Sequence, residues 1–68
     1  MYEKLVEYLE TNTESRNAQD ELARLFGFTQ ATASRKLNNL IEFKSSEIRL
    51  FKKHYNLSAN EVTELFEL

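Results

Sequence analysis

Apolar residues recur along this chain at helical spacing, and no stretch alternates as a strand would. In YEKLVEYLE, Leu5, Val6 and Leu9 share one face, which predicts a first helix over about residues 2–11. The polar run TNTESR, Thr11 to Arg16, predicts a loop. Asn17 offers a capping side chain for a second helix, and Asp20 places a carboxylate at its positive end. Leu22, Ala23, Leu25 and Phe26 form the buried side of that helix, which stops at Gly27. The Thr29 hydroxyl caps a third helix, Gln30 to about Asn38, with Ala33 and Leu37 inward and Leu40 just beyond. Asn38 and Asn39 are fitting terminators, because asparagine tolerates left-handed backbone. Ser45 or Ser46 caps a fourth helix running through Tyr55, with Ile48, Phe51 and Tyr55 inward. Ser58 and Glu61 spell a capping box that opens a fifth, apolar at Val62, Leu65 and Phe66. The expected architecture is all-α, a compact five-helix domain spanning residues 1–68, with no repeat, linker or low-complexity tract.

Gly27 is the single glycine, and the chain has no proline. Only Gly27, Phe28 and Thr29 separate the second helix from the third. A reversal that tight needs positive φ, which a β-carbon resists and glycine accepts. Phe28 is then expected to wedge inward between the two helices. Two helices joined by so short a glycine-bearing turn predict a helix-turn-helix at about residues 18–38.

Composition narrows the function. With 68 residues the core is thin, burying about 60% of the unfolded chain's surface. No cysteine is present for disulfides or thiolate metal sites, and the lone His54 cannot build a metal cluster. No cofactor or metal is expected. No serine-histidine-aspartate spacing or glycine-rich phosphate loop suggests an enzyme. No apolar run approaches the roughly 20 residues of a membrane span, and no signal peptide opens the chain, so the expected location is the cytoplasm.

The net charge is −2, yet its distribution is uneven. Residues 1–15 and 58–68 each carry −3, while residues 16–57 set eight cations against four carboxylates, a net of +4. A basic centre between acidic ends points weakly toward phosphate. Lys36 is expected to face solvent, as are Arg49, Lys52 and Lys53. Tyr2, Tyr8, Phe43 and Phe51 read as core residues, and His54 as a surface or partly packed one.

The segment QDELARLFGFTQATASRKLNN resembles the helix-turn-helix of the lambda-repressor-like and Cro-like regulators of temperate phages. The likeness continues through FKSSEIRLFKKHYNLSANEVTELF, similar to the segment that closes small Cro-like domains, and covers roughly residues 17–66. Two positions depart from the family pattern: Ala33 stands where valine or isoleucine is usual, and Asn39 replaces a glycine. The resemblance implies a DNA-binding repressor of a lysogenic–lytic genetic switch in a bacterial host, acting on double-stranded operator DNA. In such a fold the third helix enters the major groove, and its outward residues here are Gln30, Ala31, Ser34 and Arg35. Gln30 suits adenine, Arg35 suits guanine, Ala31 offers a methyl to thymine, and Ser34 serves a base or a phosphate. By resemblance Gln19 holds a phosphate and braces Gln30, Thr29 opens the reading helix, and Lys44, Ser45 and Ser46 grip the backbone.

A single domain makes too few phosphate contacts for tight binding, so a homodimer on DNA is expected. Val62, Leu65, Phe66 and Leu68 are the candidate dimer or partner surface, unless they simply close the core. A second function of a different class is an antirepressor. Some temperate phages, notably lactococcal ones, pair a repressor with a small helix-turn-helix modulator of similar size and layout. The acidic ends and Glu42 favour contact with the basic reading face of a partner repressor protein.

Overall fold

The computed structural model describes residues 2–13 and 17–68. Within them lie five helices: α1 Glu3–Asn12, α2 Ala18–Phe26, α3 Gln30–Leu37, α4 Ser45–His54 and α5 Ala59–Leu65, with no strand among the described residues. The centre of the core is Leu5 and Leu9 of α1, Leu22 of α2, Ala33 of α3 and Phe51 of α4, all fully buried. Val62, Leu65 and Phe66 close it from the C-terminal side. These three were expected as a dimer surface and instead serve the core; only Leu68 of that set is exposed. Aromatic rings extend the packing. Phe51 meets Tyr55 at 4.7 Å and Phe66 at 5.2 Å, and Phe66 meets Phe43 at 5.1 Å. Tyr2 packs edge-on to Phe43 at 5.3 Å, while its N–H donates to the Leu37 carbonyl, fastening the start of α1 to the end of α3.

Most helix boundaries follow the local chemistry anticipated. The Asn17 side chain accepts from the Gln19 N–H, Thr29 from the Thr32 N–H, and Ser58 with Glu61 forms the reciprocal capping box. Two boundaries differ. The first helix continues through Asn12, where the Thr11 hydroxyl and the Asn12 amide add side-chain hydrogen bonds to the Glu7 and Tyr8 carbonyls. The rest of the expected loop, residues 14–16, lies outside the described residues. At α4 the cap position is Lys44, not Ser45 or Ser46: the Glu47 carboxylate reaches back to accept the Lys44 N–H at 2.8 Å.

The ends of α3, α4 and α5 share one design. Asn39, Asn56 and Glu67 adopt positive φ, and the next residue donates to a carbonyl five positions back: Leu40 to Arg35, Leu57 to Lys52, Leu68 to Thr63. Leu57 is thereby turned into the core. Leu40 is not. The inward face of α3 does not continue to it, because left-handed Asn39 swings the chain off the helix axis and leaves Leu40 75% exposed.

Gly27 has φ of +73° at the end of α2, and a β-carbon built there would meet nothing within 4 Å. The demand for glycine is therefore conformational, not steric crowding by neighbours. Gly27→Ala should lower unfolding free energy by about 1 kcal/mol, seen as a lower urea midpoint with an unchanged slope.

One buried carboxylate links α2 to α4. Glu21 is 4% exposed; one oxygen accepts from the Tyr55 hydroxyl at 2.9 Å and the other pairs with Arg24. Burial first, then the bond to Glu21, pushes the Tyr55 hydroxyl well above its ordinary value of 10.0. A proton held more tightly in the folded state contributes stability that is intact below pH 10 and is lost as pH rises further. Tyr55→Phe should therefore remove part of the alkaline decline in stability, measured by denaturant titration at stepped pH against the parent chain.

Candidate nucleic-acid interface

α2 and α3 pack against each other across the three-residue turn Gly27–Thr29. Thr29 fixes the first turn of α3 twice, accepting from the Thr32 N–H at 3.1 Å and donating to the Thr32 hydroxyl at 3.0 Å. On the buried side of α3 lie Ala33, Lys36 and Leu37. Gln30, Ala31 and Arg35 are exposed and Ser34 is half-buried, so these four occupy an outward arc of about 140° at helical spacing. Ala33 is fully buried. Phe28 is half-buried at the turn and stacks on Phe26 at 5.1 Å.

Gln30 is not held as expected. Its amide donates to the Asp20 carboxylate, and no bond joins it to Gln19. A carboxylate only accepts, so this contact fixes the amide's orientation. It leaves the Gln30 carbonyl oxygen and a second N–H, the pair that a bidentate adenine contact uses. Gln19 is half-buried and lines a cleft of about 110 Å³ together with Ser34 and Asn38. The resemblance had linked Gln19 to Gln30; the fold brings Gln19 toward Ser34, while Asp20, one residue further round α2, meets Gln30 at the start of α3. Among the described residues the Arg35 side chain has no partner, while its carbonyl accepts from Leu40 and Ile41.

Lys36 corrects the expectation of a solvent-facing lysine. The residue is 3% exposed, and its ammonium lies 2.6 Å from Glu47. It also donates to the Glu42 carbonyl and stands 4.7 Å from the Phe28 ring centroid and 5.6 Å from that of Phe43. The same Glu47 oxygen accepts the Lys44 N–H. Glu47 is thus a carboxylate with two duties, neutralising α3's buried cation and fixing the first turn of α4. Lys44, Ser45 and Ser46 are exposed at that turn.

Pairing sharpens the basic centre. Lys36 and Arg24 are neutralised within the fold, and Arg16 lies outside the described residues. Among described residues 17–57, Arg35, Lys44, Arg49, Lys52 and Lys53 have no carboxylate partner, against Asp20 and Glu42 without a cation. The two acidic ends of the sequence meet in space, since α1 packs on α5. Glu3, Lys4, Thr63, Glu64 and Glu67 line a cleft of about 590 Å³ between them. No cluster of three or more metal-ligating side chains occurs among the described residues, and none of their helices is long and apolar enough to cross a membrane.

Comparison of the chain with protein-family models, curated proteins and solved structures returned no match.

The ion pair sets a stability expectation. Lys36→Met alone leaves the Glu47 carboxylate, 14% exposed, without its counter-charge and should cost about 3 kcal/mol. Lys36→Met combined with Glu47→Leu should recover part of that loss, ending within about 2 kcal/mol of the parent, since apolar groups replace the pair at little net cost while the Lys44 N–H loses its acceptor. Thermal and urea unfolding of the two variants measures this difference.

Proposed function

We propose that the chain is a phage-type, Cro-like transcription regulator. In this reading α2 and α3 work as a helix-turn-helix, with α3 entering the major groove of operator DNA in a lysogenic–lytic switch. The observation that carries it is the outward face of α3: Gln30, Ala31, Ser34 and Arg35 lie on one polar arc, Gln30 is pre-oriented by Asp20, and Arg35 has no other partner. Such a face suits base edges: an amide for adenine, a guanidinium for guanine and a methyl for thymine. Lys44 with the first N–H groups of α4 would hold the phosphate backbone alongside.

Electrostatics support the same orientation. Unpaired cations concentrate on α3, α4 and the segment between them, while the carboxylates of α1 and α5 form one acidic side. A polyanion attracts the first and repels the second, so the charge asymmetry steers α3 toward DNA during encounter. Paired domains on a palindrome would double the phosphate contacts, with half-sites about one helical turn apart. Affinity should then fall on the order of 10³-fold between 50 and 200 mM salt.

A second reading is an antirepressor that binds a partner repressor. Leu40, 75% exposed, and Ile41, 39% exposed, favour it: they form an apolar step at the end of α3, between Arg35 and Glu42. DNA offers little to an exposed leucine in such a place, whereas a protein surface can bury it.

A gel shift separates the two. The chain is titrated onto the promoter region bordering its own gene, with and without the adjacent repressor. DNA reading requires retardation by the chain alone, reduced at least tenfold in affinity by Arg35→Ala. Retardation absent alone, with repressor binding altered by the wild-type chain and restored by Leu40→Ser, would establish the antirepressor reading instead.

A further inference from the structure

Resting on the DNA-binding reading, we propose that the Lys36–Glu47 pair is a positioning element for that activity, setting the N-terminal turn of α4 in register with the outward face of α3. Lys36 is 3% exposed and has no route to a phosphate. Any effect it has on DNA must pass through the groups it holds. Those groups come from three places: Phe28 in the α2–α3 turn, Glu42 and Phe43 in the connection between α3 and α4, and Glu47 in the first turn of α4.

The connection needs such a tie. Residues 38–44 run between α3 and α4 without regular helix. A non-helical connection of that length leaves its two ends free to shift relative to each other unless contacts hold them. At its start the chain is held by the Leu40 and Ile41 bonds to Arg35, and at its end by the Lys44 bond to Glu47. The Lys36 ammonium joins both halves, reaching the Glu42 carbonyl and the Glu47 carboxylate together. Glu47 in turn holds the Lys44 N–H through the oxygen that Lys36 binds. The base-facing residues and the backbone-gripping residues are therefore connected through this buried charge, beside the tie that Tyr2 makes between Leu37 and Phe43. Removing the charge pair should detach the phosphate grip of α4 while leaving the face of α3 intact.

The test uses a duplex selected from a random-sequence pool by the wild-type chain, and the variant pair Lys36→Met with Glu47→Leu, which avoids leaving either charge alone. Circular dichroism and thermal unfolding verify the fold first. Affinity is then measured across a salt series. The expected result is weaker binding, with the salt dependence reduced by about one phosphate contact per domain, and an unchanged preference for the selected duplex over a scrambled one. Lys44→Ala supplies the second arm: it should lower the salt slope in the wild-type background and have no further effect in the paired variant. A folded paired variant with the wild-type slope overturns the proposal, as does Lys44→Ala lowering the slope equally in both backgrounds. If the wild-type chain enriches no duplex from the pool, the DNA reading itself falls, and this inference with it.

Discussion

A charged ammonium in a protein interior is tolerated only when its lost hydration is replaced, and in this domain that requirement organises everything near α3. Lys36 obtains a carboxylate, a carbonyl and two aromatic faces. Its partners come from the α2–α3 turn, the segment between α3 and α4, and the first turn of α4. The apolar core, centred on Leu5, Leu9, Leu22, Ala33 and Phe51, explains why five helices collapse together. It does not by itself say where the non-helical segment 38–44 must run. Directional polar contacts supply that: Glu47 answers to both Lys36 and the Lys44 N–H, and on the other flank Glu21 answers to both Tyr55 and Arg24. α4 is consequently tied to α3 at its start and to α2 at its end, each time by a carboxylate with little exposure.

This arrangement has an electrostatic by-product. Charges used inside the fold are removed from the surface, and those left over segregate. The terminal helices come together as one negative side, although they stand at opposite ends of the sequence. The unpaired cations gather on α3, α4 and the chain between them. A net charge of −2 therefore conceals a polar distribution, and the overall balance says little about what the molecule can approach.

Much of the architecture was legible in the residues because the relevant physics is local. Asn17, Thr29 and the Ser58–Glu61 box cap helices by bonding groups two or three positions away, and left-handed backbone at Gly27 and Asn39 follows from side-chain sterics alone. The apolar periodicity likewise identified Leu5, Leu9, Leu22, Ala33, Leu37 and Phe51. The candidate site was legible in its outward residues and not in its supports. Lys36 reads as surface because lysine almost always is, and its counter-charge lies eleven residues away on another helix. Asp20 was recognised for its position at a helix start, while its bond to Gln30 spans ten residues and depends on how two helices cross. Leu40 continued an apolar spacing that the backbone had already abandoned at Asn39.

The left-handed residues at the ends of α3, α4 and α5 carry side chains: Asn39, Asn56 and Glu67. A β-substituent in that region is tolerated by asparagine and unwelcome for glutamate. The domain has therefore settled below the firmness its own helix terminators would permit, and it keeps headroom that simple glycine exchange at these corners would release. For a molecule with so small an interior, that reserve sits at the helix ends.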